Sequence, residues 1–456
     1  MARSWARGTV GSEALRIPVR LDLALITVRI VLVAALLPFA IGWRTPLFAS
    51  WRFVALALLL ALPLALIAAE IWTLRRASSS RALRAMSRAS LALALAASAT
   101  TAAIEIDFQV KRRAVLAADP QQLEKLGRHV LVGYRSPETL RALIERRAVA
   151  GIFLSARNVA GKAPDAIRQE TDALQEIRRR QGIAPLWIAT DQEGGAVSRL
   201  SPPLTRMPPI ADIVALHRDH AERLLAVRQY AARQGRDLAA LGVNLNFAPV
   251  VDLNHGVQNP DDRLTRIATR AISADPAVVT EVAGLYCATL RLTGVHCTLK
   301  HFPGLGRVYE DTHKVTAELA ARPSELETSD WLPFRQLMAD APFTMLGHAR
   351  LTALDRDRPA SFSRAVVKDL LRDTWKHDGI LITDDFSMGA VTLSREGAAQ
   401  GAIAALNAGV DLILVSYDPD QYFPVMHALL AADRAGILRA EALAQSAARL
   451  RRAAER

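Results

Sequence analysis

Cysteine is almost missing from this chain: Cys287 and Cys297 are its only two. There is no CxxC pair and no histidine at metal-ligand spacing beside them. That excludes a zinc ribbon, a thioredoxin-type redox motif and a disulfide-stapled scaffold. The expectation for the two thiols is that both are free and buried. No glycine-rich phosphate loop follows the first apolar run, so a nucleotide-binding open sheet is disfavoured. Acids are scarce near the start. Residues 1–104 hold twelve arginines against three acids, which accounts for nine of the +12 net charge. The rest of the chain is close to neutral and carries no basic stripe set among aromatics. Nucleic acid is therefore excluded as a partner.

What is abundant is apolar sequence: 51% of residues are hydrophobic, concentrated at the beginning. One stretch runs from Leu21 to Trp43, interrupted by Asp22 and Arg29. A second runs from Phe53 to Leu74, with Pro63 inside it and Glu70 near its end. A third, Ala89 to Ile104, is short and rich in Ala, Ser and Thr. A membrane-spanning helix needs about 20 mostly apolar residues. The second stretch meets this outright. The first meets it if Arg29 snorkels or faces a partner helix, and the third is marginal. Arg3, Arg7, Arg16 and Arg20 precede the first stretch, and Arg75, Arg76, Arg81, Arg84 and Arg88 follow the second. The positive-inside rule puts both groups in the cytoplasm, which makes the first two stretches a hairpin. The expectation is that the third stretch also crosses, so that the catalytic part emerges on the outer, periplasmic or extracytoplasmic side of the cytoplasmic (inner) membrane. The alternative is that it lies in the interface or packs on the hairpin, which leaves the remainder cytoplasmic. The expected organisation is a membrane leader over residues 1–110, with two or three transmembrane helices, and a catalytic domain over 111–456.

Beyond residue 123, eight short apolar runs alternate with longer segments. The runs are His129–Tyr134, Ala150–Leu154, Leu186–Thr190, Asn244–Ala248, His296–Lys300, Thr344–His348, Ile380–Asp384 and Asp411–Val415. Ala221–Leu241, Asp275–Thr293 and Arg364–His377 between them repeat apolar residues at helical spacing. Eight strand–helix alternations predict an α/β fold, a (β/α)8 TIM-type barrel, preceded by an all-α transmembrane segment. In such barrels reactive groups sit where strands end. Asp191 follows the third run. Lys300 and His301 close the fifth, His348 the sixth and Asp384 the seventh.

These residue types suit glycoside hydrolysis. That reaction needs a proton donor for the leaving oxygen and a carboxylate at the opposite face of the anomeric carbon. Asp384, at the end of a rigid run, is the expected nucleophile. Asp385 points the other way along the strand and has a supporting or helix-capping role. His313 suits acid/base work because its pKa can be poised near neutral. Asp311, two residues earlier, would orient it. Pro303, Gly304 and Gly306 predict a loop of unusual backbone geometry that moves over a site. Asp191, Lys300 and His301 are candidate partners for sugar hydroxyls. Arg199 and Arg270 are weaker candidates.

Five segments resemble the bacterial β-N-acetylglucosaminidases of glycoside hydrolase family 3, the muropeptide-recycling type. They are Gly151-Ile152-Phe153-Leu154-Ser155-Ala156-Arg157-Asn158, Asp191-Gln192-Glu193-Gly194-Gly195, Asn246-Phe247-Ala248-Pro249-Val250-Val251-Asp252, Lys300–Gly306 with Asp311-Thr312-His313, and Thr383-Asp384-Asp385-Phe386-Ser387-Met388. The resemblance covers about residues 120–456 in order. It implies a retaining enzyme that uses no metal and no cofactor, with Asp384 as nucleophile, His313 as acid/base and Asp311 as its partner. It implies Asp191, Arg199, Arg270, Lys300 and His301 as binders of a terminal N-acetylglucosamine, and muropeptides as the carbohydrate substrate. The lipid bilayer is a partner through the leader alone. Leu305 stands where a histidine is commoner, and Asn246 where an aspartate is. Leu305 lies outside the Asp311–His313 pair, so little loss of chemistry is expected, but it puts loop motion and the aglycone site in question. The membrane leader puts a cytoplasmic recycling role in question. Two further readings are a phosphorylase, in which phosphate takes the place of water, and a non-catalytic membrane-tethered sensor of muropeptides.

Overall fold

The computed structural model describes residues 16–76 and 80–455. Arg3 and Arg7, used above to orient the leader, lie outside them. The chain divides into two compact units, Met1–Val110 and Lys111–Arg456.

The first unit is helical. α1 spans Arg16–Gly42, α2 spans Arg52–Arg76 and α3 spans Arg81–Leu116. All three are long and apolar enough to cross a membrane. The third stretch, marginal by sequence, is part of a 36-residue helix that runs on past Ile104. Leu25, Val28, Val31, Phe53 and Leu64 stand exposed, while Ile26, Val33, Ala40, Ala94 and Ala97 are buried. Helices that present apolar side chains outward and small ones inward match packing in lipid. Polar groups point between the helices. Arg29 faces a partner helix as expected. Its guanidinium donates to Thr73 Oγ1 at 3.0 Å and lies 3.5 Å from Glu70. Ser87 of α3 hydrogen-bonds the same Glu70. Arg44, in the α1–α2 turn, donates through Nε to Glu105 of α3 at 3.0 Å.

The second unit is built on eight parallel strands. They are β1 Val130–Val132, β2 Gly151–Phe153, β3 Trp187–Thr190, β4 Leu245–Asn246, β5 Thr298–Phe302, β6 Phe343–Leu346, β7 Ile380–Asp385 and β8 Leu412–Val415. Each of the eight apolar runs overlaps one of them. Their order is β4-β3-β2-β1-β8-β7-β6-β5. Isolated parallel bridges from Leu245 to His296 and from Val250 to Lys300 join the two end strands. The sheet is thus a nearly closed barrel. β5 runs two residues further than expected, to Phe302, and His348 lies beyond the end of β6.

Strand alternation fills the barrel. Leu131, Phe153, Trp187, Phe343, Ile382 and Leu414 form one core, with Phe153 stacked on Phe247 at 5.8 Å and Trp187 edge-on to Phe343 at 5.0 Å. The helix Ala440–Ala454 adds Leu450 and Ala453 to it. The helices His220–Ala240 and Pro276–Arg291 match their expected spans within two residues at most, and an aspartate caps each, Asp219 and Asp275. The segment expected as Arg364–His377 is a π-helix, Ala365–Thr374. Apolar spacing marks a helical face without fixing how tightly the backbone winds.

One expectation is overturned. Cys287 and Cys297 are not free thiols but a disulfide, with Cα atoms 5.3 Å apart. Spacing alone could not show this. The pair meets because the helix Pro276–Arg291 packs back beside β5.

Candidate active site

The C-terminal ends of the strands gather the reactive groups. β5 delivers Lys300 and His301, and the peptide bonds Lys300–His301 and Phe302–Pro303 are cis. Lys300 is 2% exposed, and a buried ammonium needs partners. Its Nζ lies 2.7 Å from Asp191 and 2.5 Å from Glu193. Arg270 meets the same Glu193 through Nε at 2.9 Å and Nη2 at 2.6 Å. The cluster is therefore two cations and two carboxylates. Burial works to raise the Glu193 carboxyl, but Arg270 and Lys300 outweigh it and hold it well below its usual range. Burial likewise works to lower the Lys300 ammonium, and Asp191 and Glu193 reverse this. Glu193 was quoted in a motif but given no role, yet it is the common partner of both cations. Its distinguishing signal was proximity to Asp191 on the strand-end turn, where an antiparallel ribbon, Gln192–Gly194 with Val197–Ser198, now supports it.

His301 is fixed by a residue also left without a role. Asp252, fully buried, accepts from His301 Nδ1 at 2.7 Å and from the backbone N–H groups of His301 and Leu305, at 3.1 and 2.7 Å. The other ring nitrogen of His301 faces Arg270 at 3.4 Å. Leu305 is 1% exposed and packs against Gly347. It is a packing residue at the base of the loop. Asn246 also has a local reason. Its amide accepts from Gln192 N at 2.9 Å and donates to Gln192 O at 3.0 Å and Tyr286 Oη at 3.0 Å. A carboxylate could not donate these two bonds.

The Asp311–His313 pair sits on the loop after β5. His313 Nδ1 lies 3.2 Å from both Asp311 Oδ1 and Thr265 Oγ1. Asp311 also accepts from His313 N at 3.1 Å, Thr265 Oγ1 at 3.1 Å and the amides of Arg263 and Leu264 at 3.3 Å. Burial raises its pKa, but these bonds and His313 itself bring it well below the ordinary carboxylate value. With Nδ1 engaged, Nε2 is the nitrogen left for a substrate. The loop is docked as well to the segment after β7: Gly389 N donates to His313 O at 2.8 Å and Ala390 N to Thr312 O at 3.1 Å. Only glycine fits at 389, since a Cβ there would come within 2.2 Å of Lys314 O. Gly304 has the expected left-handed backbone, φ +103°. At Gly306 the reason is close approach, with Leu253 O 1.9 Å from where a Cβ would stand.

Asp384 lies near the end of β7. Its carboxylate takes one hydrogen bond, from its neighbour's amide, Asp385 N, at 2.8 Å. Most of its acceptor capacity is unused. Burial raises its pKa, while His301, His348 and His313 pull it below the ordinary value, so it stays ionised at neutral pH. Asp385 is a brace. It accepts from Ser387 N, Ser416 N, Ser416 Oγ and Tyr417 N at 2.6–3.0 Å, tying β7 to the loop after β8. His348 is buried between Ser361 Oγ at 2.7 Å and Asp385 O at 3.1 Å. Arg199 stands apart. It is exposed, its backbone N–H donates to Asp191 O at 3.1 Å, and its guanidinium has no protein partner among the described residues. In the Gly151–Asn158 segment, Asn158 caps Ser155 and holds Tyr134 O at 3.0 Å.

Residues 121–453 match the family model described as glycosyl hydrolase family 3 N terminal domain. The chain belongs to glycosyl hydrolase family 3. Within family 3 it is similar to a beta-hexosaminidase of Stenotrophomonas maltophilia, 34% identical over 63% of this chain and 82% of that one. Beta-hexosaminidase LpqI of Mycobacterium tuberculosis is also 34% identical, over 70% of this chain and 79% of its own. Among solved structures, a family 3 beta-N-acetylglucosaminidase from Paenibacillus superposes with a TM-score of 0.65 at 31% identity, over 73% of this chain and 63% of that one. The structure of M. tuberculosis LpqI superposes with a TM-score of 0.62 at 33% identity, over 72% and 92%.

Proposed function

We propose that this family 3 protein is a membrane-anchored, retaining exo-β-N-acetylglucosaminidase that removes terminal N-acetylglucosamine from peptidoglycan fragments. At the coarser level it is a β-N-acetylhexosaminidase, the activity its relatives carry. The observation behind the finer reading is the pairing of an under-hydrogen-bonded, ionised Asp384 with a docked Asp311–His313 dyad. Lys300, Arg270, His301 and Asp191 hold the sugar hydroxyls. Asp384 attacks the anomeric carbon as His313 Nε2 protonates the departing oxygen, which leaves a glycosyl–Asp384 ester and the free aglycone. His313, now neutral, takes a proton from water, and the hydroxide breaks the ester to release the sugar and regenerate Asp384. The test is a chromogenic β-N-acetylglucosaminide. An Asp384→Ala protein as active as the parent ends this reading. The histidine favours one variant. A histidine acid/base presents phosphate with an imidazole where a glutamate would present a like charge, so turnover measured with and without phosphate separates phosphorolysis from hydrolysis.

We further propose that the catalytic unit lies outside the cytoplasm. Two observations support this. Arg44 of the α1–α2 turn bonds Glu105, so α3 leaves the bundle at the end away from the arginine-rich α2–α3 linker. The Cys287–Cys297 disulfide is also of a kind that persists in oxidising compartments.

A further inference from the structure

The barrel has a lined cavity at the N-terminal ends of its strands, opposite the catalytic groups. It encloses about 390 Å³ between the turn into β6, the turn into β7 and the helix Ala440–Ala454. Four cations line it, Arg335, Lys376, Arg449 and Arg452, against one carboxylate, Asp378. Arg449 is already satisfied, 2.9 Å from Asp411 and 3.8 Å from Asp378. Arg452 pairs with Asp378 at 2.6 Å. Arg335 and Lys376 have no acidic partner among the described residues. The Arg335 guanidinium instead lies 5.3 Å from the centre of the Trp375 ring.

The backbone here is unusual in two ways. Lys376 has φ +54°, a left-handed conformation rarely taken by a long side chain. It comes two residues after the π-helix, a winding found mostly near functional positions. Beside it His377 is 9% exposed, and its Nε2 has no hydrogen-bond partner among the described residues. Packing accounts for Arg449 and Arg452 but for none of these. Unpaired cations converging on a concavity concentrate anions there.

We propose that this cavity binds a phosphate group, carried either by an anionic lipid headgroup or by a soluble phosphorylated compound. Arg335 would offer a forked donor and Lys376 a point charge. The site is separate from the catalytic centre and stands whether or not the reaction is as proposed above.

The test is calorimetric titration of inorganic phosphate into the full chain in a non-ionic detergent. The double variant Arg335→Ala/Lys376→Ala should weaken binding about tenfold or more, the effect of losing roughly 1.4 kcal/mol. Arg451→Ala, which removes an exposed charge from the same helix outside the cavity, should leave binding as in the parent. Should the double variant misfold, Lys376→Gln alone, at an exposed side chain, should still weaken binding. Nanodiscs then separate the sources. Phosphatidylglycerol that displaces phosphate, where phosphatidylcholine does not, assigns the site to a headgroup, and phosphate binding equal in both assigns it to a soluble ligand. A parent that binds no phosphate, or variants that bind as tightly as the parent, overturns the proposal.

Discussion

Glu193 shows how much a single residue can organise. It is the shared counter-ion of Lys300 and Arg270, both buried, and the only carboxylate among the described residues that meets both. Glu193→Ala should therefore cost about 3–5 kcal/mol, because it leaves buried charges uncompensated. Urea unfolding measures this, and a change below 1 kcal/mol would mean that water already solvates the cluster. His313 carries a different prediction. His313→Ala should lower kcat about 10²–10⁴-fold on substrates with a sugar leaving group. The loss should be far smaller with a nitrophenyl leaving group, which departs without a proton. Equal losses on both would remove His313 as the acid. Asp384 is a candidate by residue type and strand-end position, and the Asp311–His313 pair by residue type and spacing on a loop. Glu193 and Asp252 could not be given roles, because a buried ion pair is defined by partners roughly fifty to a hundred residues away.

At the scale of elements, two histidines couple strand packing to pH. His129 precedes β1, buried, with Nδ1 2.9 Å from Asp411 O. His377 lies just before β7. Burial pushes the first down to about 4 and the second, helped by Arg372, down to about 3. Both are native in the neutral form. Their contribution is complete above the unfolded value near 6.5 and is lost as pH falls toward the folded values. Each should add a slope of up to about 1.4 kcal/mol per pH unit in that window. Unfolding free energies at pH 7, 6 and 5 should fall, and His129→Gln should flatten the fall. An unchanged slope would show that His129 is protonated in the native state. All eight strands were legible as apolar runs, since burial on both faces demands them. The ribbon Gln192–Gly194 with Val197–Ser198 was not, because so few residues leave no periodic trace, and neither was the wider winding of the helix Ala365–Thr374, whose spacing showed only that it is helical.

For the whole molecule the open matter is which compartment holds the catalytic unit. The disulfide closes a loop of sequence separation ten, and its loss through Cys287→Ser should cost about 3 kcal/mol. Free thiols labelled quantitatively in protein taken from cells without reductant would argue against an oxidising compartment. A reporter fused after Arg456 and active only in the cytoplasm would place the catalytic unit inside and reverse the proposed orientation.

Composition and spacing alone decided that an apolar helical segment precedes a strand–helix alternation, and that carboxylates and histidines close its strands. Both follow from local rules: lipid and core each demand runs of apolar residues, and a parallel strand ends where its run ends. The joining of Cys287 to Cys297, the Glu193 and Asp252 nodes, the docking of the Asp311–His313 loop on Gly389 and the cationic cavity before β6 and β7 were decided by tertiary structure. Each depends on which distant segments the barrel brings together, and no window along the chain contains both partners.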